Sequence, residues 1–565
     1  MLSSTIVQVL SETRASSAAG ALGGPHGGAY RAPAVGVQGA VSAAHGLAAT
    51  AGLRILMQGG NAVDAAVAVG AALSVVEPFM SGLGGGGGFM TIHEARAGTV
   101  HVLDYVGRTP AAADPSAFAN LEALDADIRS TCVPGTLGGW LAALDRFGSL
   151  DRASVFQPAI DLAEHGWPIT SFGARMLAEQ ADRLGRYPSS RATYWPKGRP
   201  PLEGERVELP NLAQTYRTLA AGGADAFYRG EVGERLVRAV QAAGGWLTSA
   251  DLAAFTPVWR EPLAVDFRGY RIFMPPPPSL GFQTLESLSI LAGDDLEALG
   301  HNSAEYLHLV LEAIKLASAD RTHHVRAGRP TINALLDPDY AAERRARIDP
   351  RRAAPSEGER YLANKTGEVA PGDPGRYARD HTTHFEAADR LGNLVTVTQS
   401  NGGAFGSGFV AGDTGIVLNN FLYWTDLDPA SPTYMQPNAP RESSMSPCIV
   451  ARGDGQPVLG IGTPGSFGIL QTTLQVLLNR LVFGLNVQAS IEAPRVRAFE
   501  QTIVDVEARV SEPVRAGLTE RGHQVRPLEP FTWRVGGVHA IAYDPDTGIL
   551  SAGADPRRDG QAVAF

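Results

Sequence analysis

Cysteine is nearly absent from this 565-residue chain: only Cys132 and Cys448 occur. No CxxC or Cys/His spacing accompanies them, so a disulfide framework is excluded as the main source of stability and no metal is indicated. Neither has a local catalytic signature, and both read as buried structural thiols. A run of about 18 apolar residues is also missing, so no membrane-spanning helix is expected. The opening MLSSTIVQVLSETRASSAAG has neither a positive start nor a sustained apolar stretch. It does not read as a secretory signal, which points to the cytoplasm. Excess positive charge is lacking too. The formal net charge is −10, so no basic surface advertises nucleic-acid binding. No internal repeat is visible.

What is present fits a large globular protein. Hydrophobic residues make up 44% and charged residues 19%, enough apolar surface at this length for a sizeable core. The 65 glycines and 38 prolines fall in short clusters between periodic segments, the pattern of many tight turns. Residues 1–38, rich in Ala, Gly and Ser, read as a loose N-terminal arm. A helical pattern runs from Ala43 to Gln58 and stops at Gly59-Gly60. Asn61 then caps a second helix to Val76 that is apolar nearly all round and therefore buried. Strands follow at FMTIHEA and TVHVLDY. The glycine run ahead of them, residues 81–88, does not bind a dinucleotide, because a helix precedes it and strands follow. Residues 130–330 read as mainly helical, and residues 330–381 as an exposed Pro/Gly-rich linker. Beyond that, Thr383 to Ala388 and Leu394 to Ser400 alternate like strands around a hairpin turn, Asp389 to Asn393. Thr414 to Asn419 and Cys448 to Ala451 add strand candidates, and an apolar helix spans Ile469 to Leu481. Two sheets with helices outside them account for this order.

Several motifs occur in a fixed order. The first half carries Gly59-Gly-Asn-Ala-Val-Asp-Ala-Ala66, Val133-Pro-Gly135, Phe227-Tyr-Arg-Gly230, Arg260-Glu-Pro-Leu263 and Pro276-Pro-Pro-Ser279. The second carries His381-Thr-Thr-His-Phe385, Phe405-Gly-Ser-Gly408, Leu418-Asn-Asn420, Ser443-Ser-Met-Ser-Pro447, Gly462-Thr-Pro-Gly465 and Ala493-Pro-Arg495. Together, from about residue 38 to Asp559-Gly560, they resemble the gamma-glutamyltranspeptidase family.

That resemblance implies an α+β fold, a four-layer αββα sandwich of the N-terminal-nucleophile hydrolase type. It implies a precursor that cuts itself between His381 and Thr382 into a large subunit, residues 39–381, and a small catalytic subunit, residues 382–565. These would stay together as a heterodimer. The chemistry is sound. A threonine hydroxyl is a weak nucleophile without a neighbouring base. An N-terminal amine, with an ordinary pKa of roughly 7.7–8.0, supplies that base once Thr382 becomes an N-terminus. Before the cut, the same Oγ would attack the His381 carbonyl and shift the acyl group from nitrogen to oxygen. Alone, Thr382 and Thr383 would pass for ordinary strand residues. By the same resemblance Ser400 lies where the family has a threonine that bonds the nucleophile. Gly465 and Ser466 match paired glycines whose N–H groups form the oxyanion hole. Ser443 and Ser444 match serines that hold the substrate carboxylate, although local turn bonding also explains them.

The match breaks where the family grips a zwitterionic head. Val106 stands in place of an arginine, and Arg108, two residues on, could face the same way about 7 Å along a strand. Trp424 stands where an aspartate meets the α-ammonium, Phe421 where a polar side chain sits, and Gly402 where an asparagine sits. An acyl group that is less polar, or that keeps a carboxylate but lacks the α-ammonium, is therefore expected. The short segment from Asn420 to Ser443 implies an open site that favours hydrolysis over transfer. The alternatives are a true gamma-glutamyl transferase or glutathione hydrolase, and an inactive processed homologue acting as a binding protein. The partner is a small-molecule amide; no cofactor, metal, nucleic acid or membrane is expected.

Overall fold

The computed structural model describes residues 29–356 and 381–565. Its strands in the first part are β1 (Ala34–Gly36), β2 (Gly39–Ala43), β3 (Gly87–Glu94), β4 (Thr99–Asp104), β5 (Trp167–Pro168), β6 (Arg206–Val207), β7 (Val258–Arg260), β8 (Leu263–Phe267) and β9 (Tyr270–Met274). The second part adds β10 (Thr383–Asp389), β11 (Leu394–Ser400), β12 (Cys448–Arg452), β13 (Pro457–Gly462), β14 (Val496–Ala498), β15 (Ile503–Glu507), β16 (Gln524–Leu528), β17 (His539–Asp544), β18 (Ile549–Ala554) and β19 (Gln561–Ala564).

Two seven-stranded sheets dominate. One runs β19-β2-β10-β11-β3-β4-β7, the other β1-β18-β17-β13-β12-β9-β8. They face one another through β10, β11, β13 and β17. Helices cover both outer faces, so the layers are helix, sheet, sheet, helix, as expected. Period-two alternation explains the sorting. Phe385, Ala387, Val395 and Val397 join the core under the outer helices. His384 and Glu386, which alternate with Phe385 and Ala387, face the opposite sheet.

The helix Ala62–Val76 shows why the outer layer is stable. All of its residues are buried, against helices Gly46–Met57 and Arg152–His165 and strands β10 and β11. Asn61 accepts from the Val63 and Asp64 N–H groups, and the Asp64 side chain bonds back to Asn61 N. Such a cap is worth about 1 kcal/mol. Each buried Val or Leu contributes about 1.5–3 kcal/mol. Packing therefore decides that the helix exists, and the cap decides where it starts.

Four expectations change. The arm is shorter than residues 1–38, because β1 pairs with β18 and Ala29 is buried; residues 1–28 lie outside the described residues. Within the stretch read as helical, residues 258–274 form three strands. The linker reading fails for residues 329–345, where helices Arg329–Leu335 and Pro338–Arg345 each carry proline in the first turn, a place proline favours. Residues 357–380 of that stretch lie outside the described residues. Residues 414–419 make no strand, only isolated bridges from Val417 to Val410 and from Leu418 to Gly84.

The last described residues before that gap are fastened to the second part of the chain. Ala353 N donates to Arg521 O at 2.7 Å, and Ser356 pairs with Gln501. Lys315 Nζ donates to Ala354 O at 2.9 Å, while His308 lies 2.9 Å from His523.

Candidate active site

Thr382 stands at the head of β10, a central strand between β2 and β11, with 1% of its surface exposed. Its hydroxyl donates to Ser400 Oγ at 3.4 Å. Ser400 Oγ in turn donates to the His381 carbonyl at 2.7 Å and accepts from Gly402 N at 2.9 Å. The hydroxyl that would attack, the group that polarises a carbonyl and that carbonyl thus form one chain of contacts. The His381 ring lies 6.1 Å from Trp533.

Gly402 has φ +99°, and a Cβ there would sit 2.2 Å from Asn420 Oδ1. No asparagine fits at 402, because the Asn420 side chain fills that space and accepts from Gly403 N at 2.7 Å. Asn420 thereby couples the loop after Ser400 to the next turn, Phe421–Trp424.

The other sheet supplies the second wall. Strand β13 ends at Gly462 and turns through Gly465, at φ +135°, and Ser466, at φ +52°, into helix Gly468–Leu481. A left-handed serine costs roughly 1–2 kcal/mol, so the neighbourhood over-determines this turn, as at many functional sites. Thr463 Oγ1 braces it, donating to Pro464 O and accepting from Gly537 N.

Ser466 opens onto a small cavity lined also by Leu280, Trp424, Glu442, Ser443, Ser444 and Phe467. The structure therefore brings together four residues singled out in the sequence: Trp424, Ser443, Ser444 and Ser466. Ser443 Oγ also accepts from Met445 N at 3.2 Å, the local turn bond that was the alternative reading. Phe421 is fully buried behind Trp424, ring centroids 4.6 Å apart, in one apolar cluster with Val106. Arg441, buried, donates to the Trp424 carbonyl at 2.9 Å and so fixes the aromatic turn. Arg108 is not in this group. Strand β4 ends at Asp104, so strand alternation does not carry to residue 108; its side chain is exposed and donates to Asn438 O at 3.1 Å.

Two residues that touch Thr382 and Thr383 were missed in the sequence. Arg558 Nη1 donates to the Thr382 carbonyl at 3.1 Å. Glu77 Oε2 accepts from Thr383 Oγ1 at 2.7 Å. Burial raises the Glu77 carboxyl to about 7, offset in part by the Thr383 hydroxyl and the Arg558 charge. The available signals were an arginine beside the terminal Asp559-Gly560 and an acid at the end of an apolar helix. Glu442, also missed, is paired with Arg326 and lies 3.6 Å from Arg441.

Among the described residues, one set has metal-ligand types in close array: His308, Glu312 and His523, away from Thr382. Lys315 Nζ already sits 2.7 Å from Glu312 Oε1 and supplies the positive charge that a cation would bring.

Two face-to-face sheets under helices, with a buried threonine heading a central strand, define the N-terminal-nucleophile class of hydrolases. The chain belongs to the gamma-glutamyltranspeptidase family, whose profile matches residues 48–565. It is 35% identical to the glutathione hydrolase proenzyme of Bacillus subtilis (strain 168), covering 95% of this chain and 93% of that one. It is 36% identical to the acylase ACY 1 proenzyme of Pseudomonas sp. (strain SE83), covering 94% of each. Among solved structures, the cephalosporin acylase from Bacillus halodurans superposes with a TM-score of 0.84 at 32% identity, over 95% of this chain and 97% of that one. The Helicobacter pylori gamma-glutamyltranspeptidase reaches 0.53 at 33% identity, over 58% of this chain and 96% of that one. The protein is thus an enzyme of the family's hydrolase and acyltransferase kind.

Proposed function

We propose that the chain cuts itself between His381 and Thr382 and then hydrolyses small amides through an acyl-enzyme on Thr382 Oγ. The observation that carries this reading is the contact chain from Thr382 Oγ to Ser400 Oγ to the His381 carbonyl. In the precursor, Oγ attacks that carbonyl, its proton passes to the departing Thr382 nitrogen, and water cleaves the resulting ester. In the mature enzyme the free α-amine takes the hydroxyl proton as substrate is attacked. It returns that proton to the leaving amine. The N–H groups of the 465–466 turn face the developing oxyanion, and each such donor is worth about 2.7–4 kcal/mol in the barrier. Arg558 holds the Thr382 carbonyl still while the residue exchanges a peptide for an amine.

For the acyl group, the packing favours an apolar chain, or one bearing a carboxylate without an α-ammonium. Val106, Phe421 and Trp424 form one apolar body where a zwitterion would need a charge pair, and Arg108 points elsewhere. Ser443 and Ser444 remain as hydroxyl donors on the cavity wall. Hydrolysis outweighs transfer if water reaches the acyl-enzyme freely.

Mass spectrometry and a denaturing gel test the maturation step. Wild type yields a fragment beginning at Thr382, and Thr382→Ala stays one uncut chain. Active wild-type protein with residue 382 still joined to His381 refutes the mechanism. A panel of anilides tests the acyl preference. Gamma-glutamyl-p-nitroanilide turned over more efficiently than glutaryl or simple fatty-acyl anilides refutes that part alone.

A further inference from the structure

The face of β10 that carries Thr382 carries two more polar side chains, His384 and Glu386. Their partners across the ladder are Thr398 and Thr396 on β11. His384 Nδ1 lies 2.8 Å from Thr398 Oγ1, and its Nε2 lies 3.1 Å from Glu386 Oε1. All four residues are completely buried between the sheets. Such a polar row inside a sandwich core demands a reason, because apolar side chains would fill the space at lower desolvation cost.

The reason lies on the strand opposite. A Cβ at Gly462 would sit 2.3 Å from His384 Cε1, and one at Gly460 would sit 2.7 Å from Thr396 Cγ2. The imidazole therefore rests directly on the backbone of β13, where a side chain at 462 would exclude it. Gly462 is the last residue of β13, and Gly465 follows three residues later. One ring thus spans from the strand of the nucleophile to the strand that delivers the 465–466 turn. It does so one strand period from Thr382. Burial pushes the His384 imidazole down and the Glu386 carboxyl up from their ordinary values, each toward its neutral form.

We propose that His384 is a positioning residue that sets the gap between Thr382 Oγ and the N–H groups of residues 465 and 466. Thr398 and Glu386 fix the tilt of its ring. The inference rests on the Thr382 reading above, and it asks no proton to leave the pair. A misplacement of about 1 Å between reacting groups lowers a rate by about 10²-fold.

The test uses full-length chains and two readouts: the rate of self-cleavage, and kcat and KM of matured enzyme counted by titration of its active sites. His384→Phe keeps a ring and loses both nitrogens. It should slow both rates by about 10²-fold with KM within about twofold. Glu386→Leu should lower kcat about tenfold. Glu386→Gln, which keeps an oxygen acceptor, should recover most of that loss with the pH–rate profile unmoved. Wild-type rates in His384→Phe overturn the proposal. So does a Glu386→Gln enzyme as impaired as Glu386→Leu with a shifted pH profile, since the carboxyl proton would then be part of the chemistry. If His384→Phe does not fold, Thr398→Val decides: a lower kcat at unchanged KM supports positioning, and wild-type kcat refutes it. Thr382→Ala runs alongside. A Thr382→Ala chain that still cuts itself removes the underlying reading. An uncut one beside a normal His384→Phe enzyme removes only this inference.

Discussion

Ser400 uses one hydroxyl in three directions: it accepts from Thr382 and from Gly402 N, and donates to the His381 carbonyl. Removing it strips the His381 carbonyl of a donor. Ser400→Ala should slow self-cleavage by about 10²–10³-fold in a gel time course, while Ser400→Thr retains it. Glu77 gives a different signal. The folded state keeps its carboxyl protonated to about 7, against an ordinary value of 4.5. Native protein therefore binds more protons than unfolded protein between those values. The stabilisation is complete below pH 4.5 and is lost as pH rises through 7, by roughly 3 kcal/mol in all. Glu77→Gln should flatten the fall in Tm between pH 5 and 7.5. Parallel melting profiles for the two proteins would show that Glu77 ionises normally.

At the scale of elements, the aromatic turn is the part most specific to this chain. Phe421–Trp424 is held at one end by Asn420 and at the other by Arg441, so Trp424 is presented to the cavity rather than left free. Trp424→Ala should raise KM for apolar acyl anilides about tenfold, since a buried aromatic contact is worth at least 1.4 kcal/mol. An unchanged KM would place the acyl group elsewhere. Sequence reading served well where local pattern and packing agree. The alternation of β10 and β11 and the all-round apolarity of Ala62–Val76 both announce their places. It served poorly where a short-range signal was missing. Strands β8 and β9 are joined by Arg268-Gly269, both at positive φ, a tight hairpin without the usual Asn-Gly marker. Arg108 falls outside the strand alternation because β4 stops at Asp104, and Gly107 and Pro110 are the only local marks of that stop. Arg558 and Glu77 reach Thr382 and Thr383 across long chain separations that no periodicity encodes.

Across the whole molecule, the proposed cut falls inside a woven structure. In one sheet, β10 and β11 from the small piece lie between β2 and β3 from the large one. In the other, β18 of the small piece pairs with β1 and β12 with β9. Each piece lacks the strand neighbours that complete its own sheets. Residues 1–381 and 382–565 made separately and mixed should give no activity and no two-chain species on gel filtration. Active mixtures would mean that each piece folds alone.

The interleaved strands also set how such an enzyme ages. Once nicked, a molecule that melts releases two chains that must find each other again, so refolding becomes second order and competes with aggregation. Its lifetime is then governed by how slowly it first opens, and a population of mature enzyme cannot be replenished from its own denatured halves.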